Sequence, residues 1–499
     1  MLKKKTKILK KQQIERWLCR YPEQLFEVLQ ETAHVQDSSI YLVGGALRDW
    51  LNGDVPTDLD FTISTDSIEF LKKVRKRFAA GTIVVLGKRS DNSCRLVLDD
   101  LTIDVSGFRK KATSIEQDLG CRDFTINALA VAVADLKQGA GDVVIIDPLG
   151  GVEDIGRGLV RACPGAFADD PLRLLRSYRF AAQLGFEIEP KTLKDIAARS
   201  ALIEKSAAER ISYECDQIML SPRAYQAMDG MAAVGLLERI APELWIGDGV
   251  GQPSFHHLDV LQHNLETLNC MEQVCADPAH YFPGCSEPVL GYLKERSNLV
   301  VLKWAALFHD VGKPAARKVI PEKNDRITFY NHDVQGARLF MDYASRLKWS
   351  KQNRQRVSGL IDMHMHPFHL CNSRRGEGEL SRRAMLKICR RAGDELPGLF
   401  MLAMADSLAG QGPDRPAGIE RDLADLYCRL EVLYQETIRP ILKGPKLLTG
   451  TDLVATLGLE PGPQFKTLLS GVETARVEGV VSSRDEALEW VRSYLRKHE

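Results

Sequence analysis

At 499 residues the chain is too long for one ordinary hydrophobic core and reads as roughly two to four domains. Its 44% apolar and 27% charged residues exclude a disordered or fibrous protein, and 67 Lys+Arg against 67 Asp+Glu leave no global positive field, so a nucleic-acid ligand would have to be held by local patches. The eleven cysteines form no CxxC pair and Cys270, Cys275 and Cys285 lack zinc-finger spacing, which points to buried or free thiols in a reducing cytoplasm.

The N-terminus MLKKKTKILKK is basic, but QQIERWLCRYPEQL follows it in place of an apolar core and a small-residue cleavage site. That pattern excludes a secretory signal, and residues 1–37 read as a basic helical arm. No run of about 18 apolar residues occurs, so no membrane span is expected.

Residues 38–162 alternate β-rich runs (Ile40–Val43, Leu59–Ile63, Thr82–Leu86, Arg95–Leu98, Thr102–Val105, Val143–Ile146) with helical stretches such as Ser67–Phe78. This predicts a compact α/β head. In VGGALRDWLNGDVPTDLDFTI, Gly44 and Gly45 directly follow a strand, where missing side chains let backbone N–H groups approach a phosphate, and Arg48 adds a fork of donors. Asp58 and Asp60 stand two apart on a strand and share a face, so both carboxylates can converge on hard divalent cations. Such a pair can activate a hydroxyl and neutralise a leaving phosphate. Asp104, in LTIDVSGFR, is a third carboxylate that a neighbouring strand could bring beside them.

From Asp169 onward the pattern turns helical and strand-like runs nearly vanish. The head is followed by residues 163–246, read as a neck; 247–445, a helical body; and 446–499, a tail. Seams are expected near Pro164, at Gly247–Ser254, at Pro321–Arg326 and at Gly410–Gly418. In DDPLRLLRSYRFAAQLGF, Asp170 and Arg173 are expected i, i+3 on one helix, where acceptor beside donor imitates a base-pairing edge.

In order, these motifs resemble the class II tRNA nucleotidyltransferases and bacterial poly(A) polymerases, a branch of the polymerase-β-like superfamily. The likeness runs through CRDFTINALAV, DPLGGVEDIGRGLVRA and AERISYE to Glu214, and resumes in the tail at Leu448–Val491. It implies a polymerase-β-like nucleotidyltransferase head and a mostly α-helical neck, HD body and tail. It also implies catalysis by Asp58, Asp60 and Asp104 with Mg²⁺ on the first two. Nucleotide binding falls to Gly44, Gly45, Arg48, Arg122, Asp123, Asn127, Asp170, Arg173, Arg176 and Arg179. Where the family usually has a second Arg before Arg122, this chain has Cys121, and Asp169 replaces a usual Glu. The implied partners are a tRNA 3′ end, CTP and ATP.

In the body, His309-Asp310 ends the apolar run Leu302–Phe308 and is accompanied by His263, His332, His364, His366 and Asp406. The spacing resembles HD-type metal-dependent phosphohydrolases, which implies a divalent metal on His263, His309, Asp310 and Asp406, with His332 and His364 offering a second position. Arg374–Arg375, Arg382–Arg383 and Arg390–Arg391 place cations on a helical face that either tracks an RNA backbone or is simply solvated.

The reading adopted is template-independent addition of CMP, AMP or both to a tRNA 3′ end; its rivals are CC-only addition, poly(A) synthesis, an HD hydrolase with a degenerate RNA-binding head, and a tRNA-binding factor without turnover. Between Arg109 and Cys121 there is only KKATSIEQDLG. Relatives that complete CCA usually carry a longer loop there, so the shortened version resembles enzymes that stop after CC.

Overall fold

Six strands of the head form one mixed sheet in the computed structural model, which describes residues 7–86, 92–136, 141–253, 255–323, 326–377 and 380–497. The first six residues of the expected arm, Ser254, and residues 324–325 of the Pro321–Arg326 loop lie outside the described residues. Contacts divide the chain into two compact units, residues 1–221 with 230–240 and residues 222–229 with 241–499.

In the first unit the chain runs β1 (Lys7–Leu9), α1 (Lys11–Leu18), α2 (Leu25–Val35), β2 (Ile40–Val43), α3 (Gly45–Asn52), β3 (Asp58–Ile63), α4 (Ser67–Phe78), β4 (Thr82–Val85), β5 (Ser93–Leu98) and β6 (Leu101–Gly107). It continues through α5 (Ile115–Gly120), β7 (Ala130–Ala132), β8 (Val143–Ile145), α6 (Gly151–Arg157), α7 (Ala166–Asp169) and α8 (Arg173–Leu184). The sheet order is β4-β5-β6-β3-β2-β7; only β3 and β6 pair in parallel, and their register sets Asp60 opposite Asp104.

Alternation along β3 explains the site. Leu59, Phe61 and Ile63 are buried in one core with Phe70, Leu71 and Val74 of α4, so Asp58 and Asp60 project from the other side of the strand. α4 is held at its start by the Asp66 side chain, which accepts from the Glu69 amide. Within the stretch expected as a helical arm, Lys7–Leu9 is a strand, because its backbone finds a ladder with Val143–Ile145. The helices α1 and α2 bury Trp17, Leu25 and Leu29 in the head core. β7 is an unexpected strand, since alanine-rich Ala130–Ala132 carries no β-branched signal beyond Val131 and gains its conformation from β2.

Among its described residues the second unit is helical apart from a short hairpin, Lys318–Ile320 with Arg326–Thr328, that the helical pattern had hidden. Its central helix Leu396–Ala409 is apolar almost all round and almost wholly buried, so the one carboxylate it carries, Asp406, is enclosed. Its last three helices, Gly450–Leu457, Gln464–Val477 and Arg484–Arg496, enclose a separate small core of Leu453, Leu468, Val472, Leu488 and Val491. Cys285 and Cys428 are joined as a disulfide with Cα atoms 5.5 Å apart, a correction to the expectation of buried or free thiols, which the nine other cysteines satisfy. Residues 143 apart in sequence carry no local signal of their pairing. No helix among the described residues is long and apolar enough to cross a membrane.

Candidate active site

One cavity of about 720 Å³ in the first unit is lined by all thirteen candidate head residues, from Gly44 to Arg179. At one end stand Asp58, Asp60 and Asp104. Burial pushes the Asp60 carboxyl up, with Arg122 pulling it down and the neighbouring carboxylates Asp104 and Asp58 raising it. Asp104 is engaged: Arg95, opposite it on β5, donates from Nε to Oδ1 at 2.7 Å and from Nη2 to Oδ2 at 2.8 Å. That fork, followed by the charges of Asp58 and Asp60, raises the Arg95 guanidinium above its ordinary value.

The turn into α3 requires glycine at residue 44. Its φ is +73°, and a Cβ there would lie 3.2 Å from Arg122 Nη1 and 3.4 Å from Asp60 Oδ2. Arg48, from α3, donates to Asp49 and, at 2.8 Å, to Asn127 Oδ1. Arg122 is buried and held by Asp118, which also accepts from the Arg109 amide and guanidinium. Burial, aided by the like charge of Arg109, lowers the Arg122 guanidinium to about 10. Burial alone would raise Asp123; Arg176 at 2.7 Å, the Asn127 amide and the Phe124 N–H keep it below the usual carboxylate range.

Asp170 and Arg173, the pair expected to read the base, are arranged differently from expectation. Asp170 is extended (φ −147°, ψ 104°) and precedes α8, which begins at Arg173, so the two do not share a helical face. Pro171 explains the break, since a residue before proline is driven out of the helical region. The Asp170 carboxylate instead accepts from the Leu172 amide and from Arg210, 2.7 Å away, and stays depressed against the opposing effect of burial. Arg173 donates to the backbone carbonyls of Cys121 and Arg122 at 3.2 Å. Arg179 pairs with Glu214 at 2.8 Å, and Arg48, Arg176 and Arg179 all lie against the Phe180 ring. Arg95, Arg109, Asp118 and Arg210 were not among the expected site residues; Arg210 sits in AERISYE, from which the sequence reading drew no site residue.

In the second unit the HD residues assemble around Asp310. His263 Nε2 is 3.1 Å from Asp406 Oδ1 and 3.6 Å from Asp310 Oδ2, and His309 Nε2 is 3.2 Å from Asp310 Oδ2. On the other carboxylate oxygen, His332 and His364 approach to 3.2 and 3.6 Å, and Lys313 also pairs with Asp310. Two donor triads therefore share Asp310: with His263 and His309, and with His332 and His364. These are the sets of three converging donors found among the described residues; the head carboxylates form none, and Asp104 is taken up by Arg95.

The donor set fits a divalent cation on its own chemistry. His309, His332 and His364 each turn Nδ1 to a backbone carbonyl (Ala306, Phe329 and Ile361) and leave Nε2 inward, while His309 Nε2 and both Asp310 oxygens are buried without a well-formed hydrogen bond. Burial lowers His263 and His364; in His309 it is outweighed by Asp310 and Asp406, which lift the imidazole to about 10. His366 lies apart, hydrogen-bonded to Arg391. Of the basic clusters, Arg375 pairs with Asp422 and Arg383 lies 3.8 Å from Glu478, so part of that charge is already neutralised.

The family model described as "Poly A polymerase head domain" matches residues 40–161, "Probable RNA and SrmB- binding site of polymerase A" matches 185–246, and "HD domain" matches 260–392. The chain is 30% identical over 461 residues to the A-adding tRNA nucleotidyltransferase of Deinococcus radiodurans, covering 91% of this chain and 95% of that protein. It is 31% identical to the CC-adding tRNA nucleotidyltransferase of Thermus thermophilus, covering 89% and 91%. The solved Thermotoga maritima CCA-adding enzyme complexed with tRNA_CCA shares the fold, with a TM-score of 0.56 over 97% of this chain and 98% of that chain at 19% identity.

Proposed function

The chain belongs to the class II tRNA nucleotidyltransferases, and from that premise we propose that it extends the 3′ end of tRNA with CMP, AMP or both, without a nucleic-acid template. The observation that carries this is the composition of the head cavity: Asp58, Asp60 and Asp104 on adjacent strands, the Gly44 turn beside Asp60, and the guanidinium groups of Arg48, Arg122, Arg173, Arg176 and Arg179 in the same lining. A cytoplasmic location fits such a substrate.

In the reaction the terminal 3′-hydroxyl oxygen bonds to the α-phosphorus of the nucleoside triphosphate, the bond to the β-phosphate oxygen breaks, and pyrophosphate leaves. Mg²⁺ on Asp58 and Asp60 would supply the activation of the hydroxyl and the neutralisation of the leaving group. Gly44 and Gly45 leave space for phosphate oxygens, and Arg48 with Arg176 and Arg179 offers them cationic donors. Asp123 and Asn127, fixed against each other at 3.1 Å, serve the sugar. Asp170 presents an acceptor to the incoming base, with Arg210 rather than Arg173 as its neighbouring guanidinium. Incubation of the purified protein with tRNA lacking its 3′ end and with labelled CTP or ATP tests the proposal; no extension by either nucleotide would overturn it.

A narrower reading, CC-only addition, is compatible with the Arg109–Cys121 segment. It is short, and it is pinned by Asp118 to Arg109 and Arg122 and by Lys110 to Asp169. For the body we propose a metal-dependent phosphohydrolase acting on a terminal or 2′,3′-cyclic phosphate, with His263, His309, Asp310 and Asp406 holding the divalent ion.

A further inference from the structure

Resting on the nucleotidyl-transfer reading, we propose that Arg95 is a positioning residue of the reaction, acting through Asp104. The two stand directly opposite each other on β5 and β6, and Asp104 stands directly opposite Asp60 on β3, so three side chains form one row across the sheet. Adjacent strands hold such a row more firmly than loops could.

The bond is a fork. Nε and Nη2 of Arg95 reach one carboxylate oxygen each, at 2.7 and 2.8 Å, which fixes the plane of the Asp104 carboxylate as well as its distance. Each oxygen keeps a further lone pair, so Asp104 can still accept a proton or a cation while held. The guanidinium also offsets the mutual repulsion of Asp58, Asp60 and Asp104, which would otherwise drive the carboxylates apart. Arg95 itself is not among the residues lining the cavity, and its side chain is 41% exposed, so its reach to the reaction runs through Asp104.

This arrangement separates a positioning role from a structural one. A group that acts only through Asp104 has nothing to contribute once that carboxylate is neutralised. Lysine, a point donor without the fork, restores the charge but not the plane.

The test is a double-mutant cycle on nucleotide addition to tRNA with Arg95→Ala, Asp104→Asn and the double variant, accompanied by Arg95→Lys and thermal midpoints. Arg95→Ala is expected to lower kcat about 10–100-fold with KM for the nucleotide little changed, because misorientation of a reacting group costs rate rather than binding. Arg95→Lys should recover part of that loss, and the double variant should be no slower than Asp104→Asn alone. A near-normal kcat in Arg95→Ala, or a loss that multiplies onto Asp104→Asn, would overturn the assignment. Should Arg95→Ala fail to fold, Arg95→Lys alone and combined with Asp104→Asn carries the same comparison. Inactivity of the unmodified protein would sink the nucleotidyl-transfer reading instead.

Discussion

Asp170, in the proline-broken turn before α8, and Arg210, in the helix Ala208–Met219, meet at 2.7 Å, so the acceptor proposed to read the base is oriented by a residue forty positions away. Asp170→Ala is expected to reduce discrimination against UTP and GTP about tenfold or more, since a lost base contact is worth about 1–3 kcal/mol. Arg210→Ala should weaken it in the same direction but less. Steady-state kcat/KM for the four nucleotides checks both, and unchanged ratios in Asp170→Ala would remove it from base selection.

Gly44→Ala forces a side chain into a left-handed backbone and against Arg122. The substitution is expected to lower stability by about 1–2 kcal/mol and to slow nucleotide addition at least tenfold. Urea unfolding and incorporation rates measure the two effects; a variant as stable and as fast as the parent would show that the turn tolerates a Cβ.

Most of the head was legible because β3 alternates cleanly: Leu59, Phe61 and Ile63 go inward, so the acidic pair is assigned to the other face by sequence alone. What was not legible depends on contacts distant in sequence. Arg95 and Arg210 become informative only when strand register and helix packing bring them to Asp104 and Asp170. Asp170 was misplaced on a helix because the i, i+3 spacing was weighed without Pro171. In the body, adjacent metal-ligand residue types announced the site, but that Asp310 serves two triads is a property of its two oxygens in space.

A divalent ion held by His263, His309, Asp310 and Asp406, as proposed, must compete with protons for them. His309 is held charged up to about 10 by Asp310 and Asp406, against the effect of burial, so a cation must displace that proton. Divalent-metal affinity is therefore expected to rise about tenfold per pH unit between pH 6 and 8 from this group. Calorimetric titration across that range checks the sign; affinity that is flat or falls with pH would contradict it. His309→Ala and Asp310→Ala should abolish metal-stimulated phosphate release and leave nucleotide addition intact.

On the CC-only reading, the short segment that follows β6, pinned by Asp118 and Lys110, fixes the product. Given tRNA ending at the discriminator base with CTP and ATP, the protein should stop at CC, and tRNA ending in CC with ATP alone should stay unextended. One added adenosine would overturn the CC-only reading, and a long adenosine ladder would favour poly(A) synthesis.

If the carboxylates of β3 drive nucleotidyl transfer, the single-turnover rate of labelled CMP or AMP incorporation into tRNA by Asp58→Ala and by Asp60→Ala reports it. Each is expected to lose at least about 10³-fold in rate while its thermal midpoint stays close to that of the parent, because metal positioning supplies much of the acceleration. Near-normal incorporation by either folded variant would contradict it.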